Sequence, residues 1–126
     1  MSVLIDTSVW VDHFRNRNQN LINLIEMDIA LTHPMVLVEL ACGTPPAPRT
    51  QTLNDIGLLQ PVKQVSVGEL MEFIERETLY GLGCGLVDIA LLASTLITPG
   101  ARLWTLDKRL AGLAERFGAA YQHNLF

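Results

Sequence analysis

Residues 3–10 read Val3-Leu4-Ile5-Asp6-Thr7-Ser8-Val9-Trp10. Three apolar residues, two of them β-branched, form a short continuous run, which predicts a buried strand. Asp6 ends the run, and Val9, Trp10 and Phe14 then recur at helical spacing through residue 15. A strand handed to a helix through a single aspartate is the opening of an α/β unit.

The alternation continues outward from that stretch. Residues 18–27 carry Leu21, Ile22, Leu24 and Ile25 in helical rhythm after the polar turn Asn16-Arg17-Asn18, and residues 29–31 read as a second strand. His33-Pro34 opens a helix with Pro34 at a favoured first position; it runs to Cys42 and stops at Gly43. A proline-rich loop over 44–48 leads to a polar helix over 49–56, ending at Gly57. Ser66-Val67-Gly68-Glu69 is a capping box, and the acids Glu69, Glu72, Glu75 and Glu77 after it read as a solvated face. Gly81, Gly83 and Gly85 mark a turn before an apolar helix over 86–97, closed by Pro99-Gly100. Residues 102–105 predict a strand, 107–117 a helix and 119–121 a last short strand. The expectation is one α/β domain over residues 1–126, with a small, mostly parallel central sheet flanked by helices. In such sheets ligands bind beyond the carboxyl ends of the strands, where Asp6 and Asp107 fall.

Composition narrows the function classes. With 49% apolar and 17% charged residues, the chain is core-rich and no disordered spacer. Its length of 126 residues suits a single self-supporting core. Cys42 and Cys84 lie far apart without a CxxC partner, which predicts two reduced, buried thiols in place of a disulfide or zinc site. The first residues carry no basic segment, and no apolar stretch is long enough to span a bilayer, so a soluble cytoplasmic protein is expected. The net charge of −4 is no basic nucleic-acid footprint.

Four of the thirteen acids depart from a plain core pattern. Asp6 and Asp107 follow strands; Glu39 and Asp88 interrupt helices that are otherwise apolar around them. Capping explains Asp6, Asp107 or Asp88 taken singly, and a buried ion pair or a snorkelling side chain would explain Glu39. Converging together, the acids would repel by about 4 kcal/mol for a pair about 4 Å apart at an effective dielectric of about 20. A cation relieves that, and Mg²⁺ or Mn²⁺ prefers such oxygen ligands. The chemistry that suits the set is metal-dependent hydrolysis of a phosphate ester. The charge of −4 equals that of these four acids, so the remainder of the chain is balanced and RNA is not excluded.

These four ordered blocks, residues 3–10, 34–43, 85–93 and 103–110, resemble the PIN-domain ribonucleases, and within them the VapC-type toxins of bacterial toxin–antitoxin pairs. The resemblance implies that Asp6, Glu39, Asp88 and Asp107 hold Mg²⁺ or Mn²⁺ and position water for endonucleolytic RNA cleavage. By it, Asp6 and Asp88 are direct ligands, Glu39 and Asp107 act partly through water, and Thr7 and Thr105 support the cluster. Some members have a further acid after the fourth; here Lys108-Arg109-Leu110-Ala111 follows. The resemblance also implies inhibition by a VapB-type antitoxin seated in a groove, and a homodimer within a larger toxin–antitoxin complex. Trp10, Phe14, Leu21, Leu24 and Ile25 are candidates for that groove, or are core. Arg15, Arg17, Lys108 and Arg109 are candidates to grip RNA, or form a solvated surface.

Other readings stand beside this one. A stand-alone PIN nuclease or a catalytically silent PIN-like binding module would share the fold. A phosphohydrolase using Asp6 as nucleophile would need a second nearby acid, whereas position 8 is Ser8, and the lysines are only Lys63 and Lys108. His13 and His33 lack metal-type spacing and read as surface or capping residues.

Overall fold

The computed structural model describes residues 1–122. Strand β1 (Ser2–Ile5) leads into helices α1 (Thr7–Asn16) and α2 (Gln19–Glu26). Strand β2 (Ala30–Thr32) is followed by α3 (Pro34–Cys42), α4 (Arg49–Gly57) and the two-residue β3 (Gln60–Pro61). Helices α5 (Val67–Glu77) and α6 (Leu86–Ile97), strand β4 (Ala101–Trp104) and helix α7 (Lys108–Arg116) complete it.

The sheet order is β3-β2-β1-β4, and every pairing is parallel. Leu4 lies opposite Leu31 on one side and Leu103 on the other, so β1 is central. Val3, Leu4 and Ile5 are fully buried, as an apolar run in a covered parallel strand requires. The chain builds outward from β1 through β2 to β3, then returns to add β4 on β1's other side. The order therefore reverses between β1 and β4, and the crevice beyond their carboxyl ends is the switch point where open parallel sheets bind ligands.

Two strand expectations change. Gln60–Pro61 was not legible as a strand because it is short, exposed and lacks an apolar pattern; a proline is tolerated at such an edge. Residues 119–121 contribute only a bridge of Ala120 to Leu103, with Leu103 N–H donating to Ala119 at 2.7 Å and Tyr121 N–H to Leu103 at 2.9 Å. The expectation of buried thiols also fails: Cys42 ends α3 exposed, and Cys84 is half-buried in the turn before α6. His123 lies outside the described residues. Among those described, no helix is long and apolar enough to cross a membrane.

His33 is a buried cap and not a surface residue. Its Nδ1 accepts from the Met35 N–H at 3.0 Å, and its Nε2 lies 3.3 Å from Ser94 Oγ on α6. The first contact fixes Nδ1 as unprotonated, so the neutral ring donates through Nε2. Burial holds its pKa below the ordinary value. The unfolded chain therefore takes up a proton first as pH falls below about 6.5. The stability that neutral His33 gives is present above that pH and lost on acidification through the folded-state value. His33→Asn retains a good cap residue and should stay within about 1 kcal/mol of wild type at neutral pH. Urea midpoints between pH 7 and pH 5 should fall less steeply in this variant than in wild type; parallel profiles would contradict the assignment.

Candidate active site

Asp6 stands one residue beyond β1 and caps α1, its Oδ2 accepting from Ser8 N–H at 3.4 Å. The same Oδ2 accepts from Ser8 Oγ at 2.6 Å and Thr105 Oγ1 at 2.7 Å. Ser8 Oγ also accepts from Leu106 N–H at 2.9 Å, and Thr105 Oγ1 accepts from Asp107 N–H at 3.0 Å. These hydroxyls sew the end of β1 to the end of β4. Asp6 itself is only 5% exposed.

The other acids follow a similar scheme. Asp107 caps α7 through Oδ1, which accepts from Arg109 N–H at 2.9 Å and Leu110 N–H at 3.1 Å. Glu39, half-buried on α3, accepts at Oε1 from Thr7 Oγ1 at 2.6 Å. Asp88 stands in the first turn of α6, where the nearby Gly85 amide favours its ionised form. For Asp6, Glu39 and Asp107, one carboxylate oxygen is anchored and the second has no protein partner among the described residues. Anchoring of this kind orients a ligand and leaves its other lone pairs available.

The four acids share one electrostatic neighbourhood. Burial raises the Asp88 pKa above the ordinary carboxylate range, and the charges of Asp6, Asp107 and Glu39 raise it further, against the Gly85 hydrogen bond. Basic side chains do not offset this, since both described ion pairs converge on Glu77, at 3.2 Å from Arg76 and 3.8 Å from Arg116. No three of the described His, Cys, Asp or Glu side chains converge closely enough to enclose an ion by themselves. A divalent cation here would draw on one or two of these carboxylates, with water and substrate phosphate completing its shell. The donor set, all carboxylate oxygen and uncompensated, fits a hard divalent cation.

A family model for the PIN domain matches residues 3–116. The chain belongs to the PIN-domain family. It is 39% identical over 118 residues to Ribonuclease VapC32 of Mycobacterium tuberculosis, in both strain CDC 1551 / Oshkosh and strain ATCC 25618 / H37Rv. The alignment covers 94% of this chain and 94% of each relative.

Around the acids of this PIN domain, the remaining candidates separate. Trp10, Leu21 and Leu24 are core: each is buried because α1 and α2 turn these side chains inward. Ile25 is half-buried against the same core. Phe14 alone of the five lines a cleft, of about 530 Å³, that also contains Thr7, Glu39, Arg15 and Pro45. Arg15, Arg17 and Lys108 are exposed. Arg109 is exposed as well, and its guanidinium also donates to the Gly83 carbonyl at 3.4 Å. His13 accepts the Asn18 N–H at Nδ1, 2.9 Å away, and closes the turn between α1 and α2.

Sequence reasoning missed Ser8 as part of the site. Its signal was available: a hydroxyl two residues after a helix-capping aspartate is placed to contact that carboxylate. Its second partner, the Leu106 amide, lies 98 residues away and needed the fold.

Proposed function

We propose that this PIN domain is a Mg²⁺- or Mn²⁺-dependent endoribonuclease, the toxin of a type II toxin–antitoxin pair, working in the cytoplasm with residues 1–126 as one nuclease domain. The observation that carries this is the arrangement of Asp6, Glu39, Asp88 and Asp107. Four acids without ion-pair partners share one electrostatic neighbourhood at the sheet's switch point, and three hold one oxygen in a structural bond while leaving the other open. Asp6 and Asp88 are the direct metal ligands; Glu39 and Asp107 act partly through water. A divalent cation held there supplies Lewis acidity toward a phosphodiester and acidifies water at neutral pH.

The protein's own groups do the positioning. Thr105 and Ser8 fix Asp6, and Thr7 fixes Glu39, so the open oxygens orient the attacking water without rearranging. Arg15, Arg17 and Lys108 are exposed cations that contact RNA phosphates flanking the scissile bond. The cleft bearing Glu39 and Phe14 receives a segment of a VapB-type antitoxin, and the toxin acts as a homodimer within the larger complex. Relatives named Ribonuclease VapC32 support the substrate class.

The test is endonucleolytic cleavage of single-stranded RNA by the purified protein with Mg²⁺ or Mn²⁺. Cleavage that chelator stops and added ion restores is expected. Cleavage that persists in chelator, or RNA left intact with both ions, would overturn the reading.

A further inference from the structure

We infer that Arg109 is a positioning residue, whose guanidinium locks the glycine turn at residues 81–85 against α7 and so holds Asp88 in register with Asp107. This rests on the ribonuclease reading above, and replaces the expectation that Arg109 grips RNA.

The turn needs a lock. Leu79 is buried and α6 begins at Leu86, but between them Tyr80 and Leu82 are exposed and Cys84 is only half-buried. Gly81 and Gly83 take φ of 73° and 81°, in the left-handed region that glycine favours. Such a segment has little side-chain packing to define it. Yet its last residue, Gly85, is the N-cap of α6, and Asp88 stands in that helix's first turn, so the turn leads directly into the segment that carries the carboxylate.

Arg109 supplies the missing restraint. Its Nη1 donates to the Gly83 carbonyl at 3.4 Å, and the guanidinium lies directly against that residue's backbone. A methyl group on Gly83 would stand 2.6 Å from Nη1 and 3.0 Å from Cζ. The backbone angle favours glycine at residue 83, and a side chain there would displace the Arg109 guanidinium from this contact. On the other side, the Arg109 N–H donates to Asp107 Oδ1 at 2.9 Å. One residue therefore touches both the turn that leads into α6 and the carboxylate of Asp107. Arg109 forms no described ion pair with an acid, and its guanidinium is directed to the Gly83 carbonyl.

The test uses Arg109→Met, which retains the aliphatic stem but not the donors, and Gly83→Ala, which obstructs the same contact from the other side. Each should lower kcat for a short RNA on the order of 10²-fold, as small displacements of catalytic groups do, with KM little changed. The double variant should be no worse than the weaker single one, because both remove one contact. Amide hydrogen exchange at residues 81–86 should quicken in Arg109→Met while β1 and α6 interior amides stay as in wild type. Unchanged exchange in the turn overturns the lock, whatever happens to cleavage. An unchanged kcat overturns it too, and a raised KM with a log–log salt slope smaller by about 1 would return Arg109 to phosphate binding. Wild-type RNA left intact with both ions sinks the ribonuclease reading but leaves the exchange result standing, whereas wild-type cleavage by Asp88→Asn removes Asp88 from the site and with it the purpose of the lock.

Discussion

Asp6→Asn should leave a folded protein whose kcat/KM for RNA is lower by about 10³-fold or more, the scale of loss when one member of a group acting as a unit is removed. The asparagine carbonyl can take over the three hydrogen bonds that Oδ2 accepts from Ser8 and Thr105. Its amide then points where Oδ1 was, presenting N–H donors and no charge to a cation. In the opposite orientation the amide faces two hydroxyls and the carbonyl alone must serve the ion. Neither arrangement restores a charged oxygen ligand. Alanine is the poorer test, since losing the cap of α1 costs about 0.5–2 kcal/mol and confuses folding with chemistry. The measurement is cleavage of a labelled RNA alongside melting by circular dichroism. Activity within tenfold of wild type, with wild-type melting, would remove Asp6 from the site.

Asp6 also shows what was legible in the sequence. An apolar β-branched run ending in an acid placed that acid beyond a buried central strand, and α3 and α6 fall where their proline, glycine and apolar periodicity put them. Capping and site chemistry looked like competing explanations of Asp6 and Asp107. In the structure they are compatible, because a carboxylate has two oxygens and the cap occupies one. What the sequence could not give was contact between distant segments. Thr7 meets Glu39 across 32 residues, and Arg109 meets Gly83 across 26. Trp10, Leu21 and Leu24 have the same apolar character whether they line a groove or fill a core, and only the packing of α1 and α2 decides. β3 stayed illegible because an edge strand of two exposed residues carries its information in backbone pairing to β2, not in side-chain pattern.

Millimolar Mg²⁺ or Mn²⁺ should raise the melting temperature of the wild-type protein, and Asp88→Asn should remove most of that shift while melting higher than wild type in chelator. The physical reason is the same for both halves. Asp88 is partly buried, and burial and the charges of Asp6, Asp107 and Glu39 all disfavour its ionised form. Without a cation, that repulsion is carried by the folded state and relaxed on unfolding. Asparagine removes the charge at nearly constant shape, so the metal-free variant is the more stable chain. A cation that binds the folded form alone adds about 2.7 kcal/mol at 100 times its Kd, a shift on the order of 10 °C for a chain of this size. Removing one anionic ligand weakens that binding and collapses the shift. The opposite directions are the discriminating feature. A residue that merely supported the fold would lower the melting temperature when replaced, with and without metal. No shift in wild type at millimolar ion, or an equal shift in Asp88→Asn, would show that these acids are not a cation site.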